Sequence, residues 1–135
     1  MIVIKRNIYN EIMRTIGVIL DRETGGIIGT TMEDIDIYEY DKGIESKSDV
    51  YVPDTQYLNR CLNDWNQRSI RLIGIIHSHK IMEQLSYADI QFAYNIMSCN
   101  QLDELIMAIL VLSVSELLIY KIKDGYVTKE EFMIV

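Results

Sequence analysis

Two apolar runs constrain this 135-residue chain more than any other feature. In residues 71–76, Leu72, Ile73, Ile75 and Ile76 do not alternate with polar partners, and residues 105–112 are apolar without a break. Continuous hydrophobicity at strand length marks a strand buried on both faces, which needs cover on each side of its sheet. Helix-like and strand-like patterns alternate around these runs, so the expected architecture is a mixed α/β domain with a central sheet flanked by helices. A chain of this size holds one compact domain, spanning residues 1–135.

The remaining elements follow from period and punctuation. Residues 2–5 are β-prone, and Asn7 is placed to cap a helix with Ile8, Ile12 and Ile16 on its apolar face. Gly17 is a plausible end for that helix, and residues 18–20 fit either helix or strand. Gly25-Gly26 interrupts the pattern before a strand at residues 27–29, and residues 34–40 alternate strictly as a strand with one buried face. A brief extended piece at residues 50–52 precedes Pro53, and Asp54 caps a helix through Leu58, Cys61 and Trp65. Ser86 starts another helix, which Asn100 stops. Asp124-Gly125 is the strongest two-residue hairpin signal in the chain.

Charge and composition exclude several function classes. The net charge is -7, from 20 acidic and 13 basic residues, and no basic stripe is present. No nucleic-acid or membrane partner is therefore expected, since a negative field repels phosphates and anionic lipids and favours a basic partner. The longest apolar stretch, residues 105–112, falls well short of a membrane span. The N-terminal residues 1–6 lack the apolar core of a secretory signal, so a cytoplasmic location is expected. Cys61 and Cys99 lie far apart with no CxxC pair, and both are expected to be small buried hydrophobes rather than zinc ligands or a disulfide. The oligomeric state stays open, a homodimer included.

The chemistry concentrates in a few residues. The chain's only histidines are His77 and His79. Two randomly placed histidines would fall two apart in roughly 1.5% of cases, so the spacing carries weight without being decisive. On a strand, residues i and i+2 face one side, where two imidazoles can share a divalent ion; the competing possibility is a pair of solvated loop histidines. Asp89 is a candidate third ligand in the first turn of the next helix, although Ser86-Tyr87-Ala88-Asp89 also fits a capping box. The two roles are compatible. Glu23 precedes Thr24-Gly25-Gly26 at a strand mouth, where glycines permit close approach, and it fits either a base for water or a solvated turn residue.

Taken together, these segments resemble the JAMM/MPN+ family of zinc metalloproteases, in particular its prokaryotic JAB branch. The similarity rests on Glu23 with the glycines after it, on His77-Ser78-His79, and on Ser86-Tyr87-Ala88-Asp89 after a spacer of six residues, one fewer than the family pattern. Lys80 stands where the family usually has proline. The resemblance implies a single MPN (JAB)-like domain of cytidine-deaminase-like architecture. It implies Zn²⁺ on His77, His79 and Asp89, with Glu23 as proton acceptor and Ser86 as oxyanion donor. Ser78 is expected to face away from its neighbours. The implied substrate is the C-terminal tail of a ubiquitin-like or small β-grasp protein, cut at a peptide or isopeptide bond. The alternatives are a catalytically weak or inactive MPN module acting as a protein-binding scaffold, and metal-assisted hydrolysis of a small amide.

Overall fold

The computed structural model describes residues 1–45 and 48–135. In chain order the elements are β1 (Ile2–Ile4), α1 (Arg6–Thr15), a 3-10 turn (Ile16–Val18), β2 (Gly25–Thr30), β3 (Ile37–Asp41), α2 (Thr55–Gln67), β4 (Arg71–His79), α3 (Tyr87–Asn100), β5 (Glu104–Val111), β6 (Glu116–Lys123), β7 (Tyr126–Glu130) and β8 (Phe132–Ile134). A six-stranded sheet runs in the order β3-β2-β4-β5-β6-β7. Only β4 and β5 are parallel within it, joined by the crossover through α3. The architecture is α/β, a mixed sheet flanked by helices in one small domain.

The two apolar runs become β4 and β5 at the centre of this sheet, and each feeds a different core from each face. Ile76, Ala108 and Leu110 pack on the α1 side with Ile8, Ile12 and Ile16. Ile75, Met107, Ile109 and Val111 pack on the other side with Leu58 and Trp65 of α2 and Ala93 and Met97 of α3. Opposite residues 72–74 of β4, the β2 register shifts between Ile28 and Gly29. The β4 sequence does not alternate because both faces are covered: Ile73 and Ile76 meet the α1 core, Leu72 and Ile75 the other. The register shift resets the phase, so Ile75, His77 and His79 share one face.

Asn7 does not cap α1. The helix starts at Arg6, two residues earlier than a cap at Asn7 implies, with Lys5 as an extended N-cap that makes no side-chain hydrogen bond. The first helical N–H, that of Arg6, donates to the Val135 carbonyl at 2.8 Å. Val135, the residue after β8, therefore satisfies the group that a capping side chain would have served. β1 and β8 form their own two-stranded parallel sheet, a pairing of distant three-residue segments that local pattern does not encode. The alternating segment 34–40 joins the main sheet only from Ile37: Ile35 instead bridges Ile4, and Asp36 accepts the Thr31 N–H at 2.9 Å. Cys99 is exposed, whereas Cys61 is half-buried and packs against the core between the sheet and α2. Cys99 falls on the solvent side of the last turn of α3.

Asp54 caps α2 by accepting the Tyr57 N–H at 3.1 Å. Asp124 and Gly125 both take positive φ, 53° and 79°, as the tight β6–β7 hairpin requires. Among the described residues, no helix is long and apolar enough to cross a membrane.

Candidate metal centre

The parallel pairing of β4 with β5 extends through Ser78 and His79, whereas β2 leaves β4 after the Gly25–His77 pair. His77 and His79 therefore stand at the C-terminal end of a central strand, facing the side covered by α2 and α3. Both are buried, at 7% and 6% exposure. Ser78 faces the opposite side, as alternation requires, and is fully buried. Its Oγ accepts the Thr24 N–H at 3.0 Å, and its own N–H donates to the Thr24 carbonyl at 2.9 Å. The residue after Glu23 is thus stitched to the residue between the two histidines.

The third side chain comes from the start of α3. Ser86 and Asp89 complete a capping box: Ser86 Oγ accepts the Asp89 N–H at 3.1 Å, and Asp89 Oδ2 accepts the Ser86 N–H at 2.8 Å. That box fixes the carboxylate against the histidines. Asp89 Oδ1 lies 3.0 Å from His77 Nε2, and Asp89 Oδ2 lies 3.1 Å from His79 Nε2. The two Nε2 atoms are themselves 3.1 Å apart. The six-residue spacer therefore delivers Asp89 to the histidines, and its capping role leaves the same carboxylate within reach of both imidazoles.

This geometry fits a shared cation. Ligand bonds of 2.0–2.1 Å at tetrahedral angles place neighbouring ligand atoms about 3.3 Å apart. One ligand atom from each of the three residues falls within 4.8 Å of the others, so the triad offers a compact N,N,O set that could hold a metal ion. The tautomer points the same way. His79 Nδ1 lies 3.0 Å from the Met82 carbonyl, which can only accept, so Nδ1 carries the proton and neutral His79 presents an Nε2 lone pair to Asp89. A lone pair facing a carboxylate at 3.1 Å calls for a positive charge between them, from a proton or a metal. Without a metal, burial works against a charge on His79, but the Asp89 hydrogen bond and the Met82 carbonyl outweigh it and raise its pKa. For Asp89, burial favours the neutral acid, yet the hydrogen bonds to both histidines hold its carboxyl far below the usual range.

Glu23 and Ser86 line the same cleft as His77, His79 and Asp89, a cavity of about 570 Å³. Glu23's charge is among the influences raising the His79 pKa, and its N–H is held by the Asp49 carbonyl at 2.8 Å. Lys80 is turned aside: its Nζ pairs with Asp49 Oδ2 at 2.7 Å, so its charge is balanced at the rim.

Two residues of this site escaped the sequence reasoning. Tyr51 stacks on His77, ring centroids 6.2 Å apart and planes 20° from parallel. Its hydroxyl donates to Asp41 Oδ2 at 2.6 Å, and the same buried carboxylate accepts the Asp54 and Gly43 N–H groups. Burial and the adjacent carboxylate push the Tyr51 hydroxyl far above its ordinary pKa, so it stays a donor. Gly25 makes room for this ring, since a Cβ there would sit 2.6 Å from Tyr51 Cε2 and 2.5 Å from the Ile76 carbonyl. Asp41-Lys42-Gly43 looks like a turn after a strand, and nothing local marks its carboxylate as buried.

No protein-family model matches the chain, and no curated protein matches it. Among solved structures it is similar to the solution structure of protein DSY2949 from Desulfitobacterium hafniense, with a TM-score of 0.76 at 17% identity, covering 100% of this chain and 93% of that one. At that identity the likeness speaks to the fold alone.

Proposed function

We propose that the chain is a zinc-dependent metalloprotease or isopeptidase of the JAMM/MPN+ kind, in an MPN-like fold. It would hydrolyse a peptide or isopeptide bond at the C-terminal tail of a ubiquitin-like or small β-grasp protein. The supporting observation is the convergence of His77, His79 and Asp89 at 3.0–3.1 Å, with Glu23 and Ser86 on the same cleft. Two imidazoles and a carboxylate suit Zn²⁺ and leave a fourth position free. When bound, Zn²⁺ supplies a Lewis acid and a water of lowered pKa.

The chain's own groups do the rest. Asp89 stays ionised as a ligand because the capping box and both imidazoles stabilise its charge. The Met82 carbonyl fixes the His79 tautomer, and Tyr51 backs the His77 ring. Glu23 takes a proton from the attacking water and returns it to the leaving amine. The Ser86 hydroxyl accepts from Asp89 N–H and keeps its own proton to donate to the carbonyl oxygen as charge develops there. A displaced side chain would favour the scaffold alternative; the convergence of His77, His79 and Asp89 supports the enzyme reading instead.

The test is Glu23→Gln assayed on a β-grasp protein carrying a reporter amide at its C-terminus. Cleavage should fall about 10²- to 10⁴-fold while metal content is unchanged. A folded variant cleaving at the wild-type rate removes Glu23 from the mechanism.

A further inference from the structure

Residues 80–86, between β4 and α3, form neither helix nor strand, yet they hold two of the three converging side chains in place. The Met82 carbonyl meets His79 Nδ1 at 3.0 Å, and Ser86 fixes Asp89 through the capping box. Packing does not hold this loop. Residues 81–84 are all exposed, Ile81 at 77% and Met82 at 54%. Hydrogen bonds hold it instead. The Lys80 carbonyl accepts the Ser113 N–H at 2.9 Å. The next fixed point comes from a side chain on β6, two strands from β4: the Tyr120 hydroxyl donates to the Glu83 carbonyl at 2.6 Å. Tyr120 lies opposite Met107 of β5, which lies opposite Ile75 of β4. That cross-strand row faces the same side as His77 and His79, and the Tyr120 ring packs against the core under α3. Burial holds the hydroxyl above its ordinary pKa, so it remains a donor.

We propose that Tyr120 is a positioning residue for the metal centre, its hydroxyl anchoring the loop so that the Met82 carbonyl stays aimed at His79 Nδ1. The Met82 and Glu83 carbonyls belong to consecutive planar peptides, separated only by the φ and ψ of Glu83. Fixing the second therefore restrains the first. The Met82 bond in turn keeps the proton on Nδ1 and leaves the Nε2 lone pair facing Asp89 and the site of the ion. A single hydroxyl carries weight here because four consecutive loop residues gain so little from burial. The consequence for zinc rests on the metallopeptidase proposal; the anchoring of the loop does not.

The experiment compares full-length wild type, Tyr120→Phe and Tyr120→Leu, each carrying isotope-labelled histidine for magnetic resonance. Phenylalanine keeps the ring and removes one oxygen; leucine removes both. In wild type the His79 Nδ1 proton should give a sharp, slowly exchanging signal. In Tyr120→Phe that signal should broaden and exchange faster, and zinc affinity by chelator competition should fall about tenfold. Tyr120→Leu should show the same two losses. Denaturant midpoints record general stability separately, and a merely structural role would lower those while leaving the Nδ1 proton protected. Wild-type zinc affinity in Tyr120→Phe overturns the proposal, as does a defect confined to Tyr120→Leu, which assigns the effect to packing. An unprotected Nδ1 proton in wild type overturns it as well. The two proposals fail separately. Wild type that binds no zinc defeats the metallopeptidase proposal, and the proton signal in Tyr120→Phe then decides the anchor by itself.

Discussion

The two ends of β4 carry clefts of similar size and opposite character. At the His79 end lies the cavity of about 570 Å³ around the triad; at the Arg71 end lies one of about 690 Å³. The second holds more charged side chains, among them Arg71, Glu104, Lys121 and Lys123. Arg71, Glu104 and Lys123 are exposed, and Lys123 spends its charge on Glu104 at 3.6 Å in an ion pair open to solvent. Such pairs contribute little and leave nothing poised. At the other end two histidines under 8% exposed share one carboxylate, and the Ser86 N–H holds that carboxylate in place. Neither volume nor the number of charged side chains singles out the triad end, since both are greater at the other. Burial of converging lone pairs does.

The largest effect that sharpens this contrast is on metal affinity as pH changes. His79 must shed its proton to ligate, and its pKa is raised, so affinity should fall about tenfold per pH unit once pH drops below that value. The metal-free protein behaves differently. A raised histidine pKa stabilises the fold below its ordinary value of 6.5, and that contribution is lost as pH rises through the folded value. A depressed carboxylate pKa stabilises the fold above its ordinary value of 3.8, and that contribution is lost as pH falls. Metal-free wild type should therefore gain most over Asp89→Asn between those two values, as denaturant midpoints across pH will show. An equal gain at all pH values would mean that the triad carries no charge in the metal-free fold.

Ser78→Ala comes next. It leaves the buried Thr24 N–H without its side-chain acceptor, which costs about 1–3 kcal/mol. Because Thr24 follows Glu23, the variant should also slow cleavage while zinc content stays constant. Urea unfolding alongside turnover tests both effects. Arg71→Ala is the small-effect control at the opposite end of the strand. Stability should move by less than about 0.5 kcal/mol, with no change in metal content. A loss of zinc in Arg71→Ala would erase the distinction between the two clefts.

Much of the site was legible because its geometry is local. The i, i+2 spacing of His77 and His79 on a strand fixes a common face, and Ser86-x-x-Asp89 at a helix start fixes a carboxylate direction. Ser78's inward turn followed from the same alternation. What escaped the sequence depends on contacts between distant segments. Tyr51 reaches His77 only because Gly25 and Gly43 leave room for its ring and Asp41 receives its hydroxyl; Gly25 reads as a site of close approach, but nothing local pairs it with Tyr51, Gly43 or Asp41. The α1 cap was misassigned for the same reason, since its acceptor is the last residue of the chain. The expectation that Cys99 is buried failed because residue type alone does not say which side of α3 faces the core.

The most direct test is metal stoichiometry. Wild type and His77→Ala, each stripped of metal, reloaded with Zn²⁺ and desalted, should retain about one and close to zero zinc per chain, respectively, by elemental analysis, with both folded by circular dichroism. Equal zinc in the two proteins, or none in folded wild type, would contradict the account.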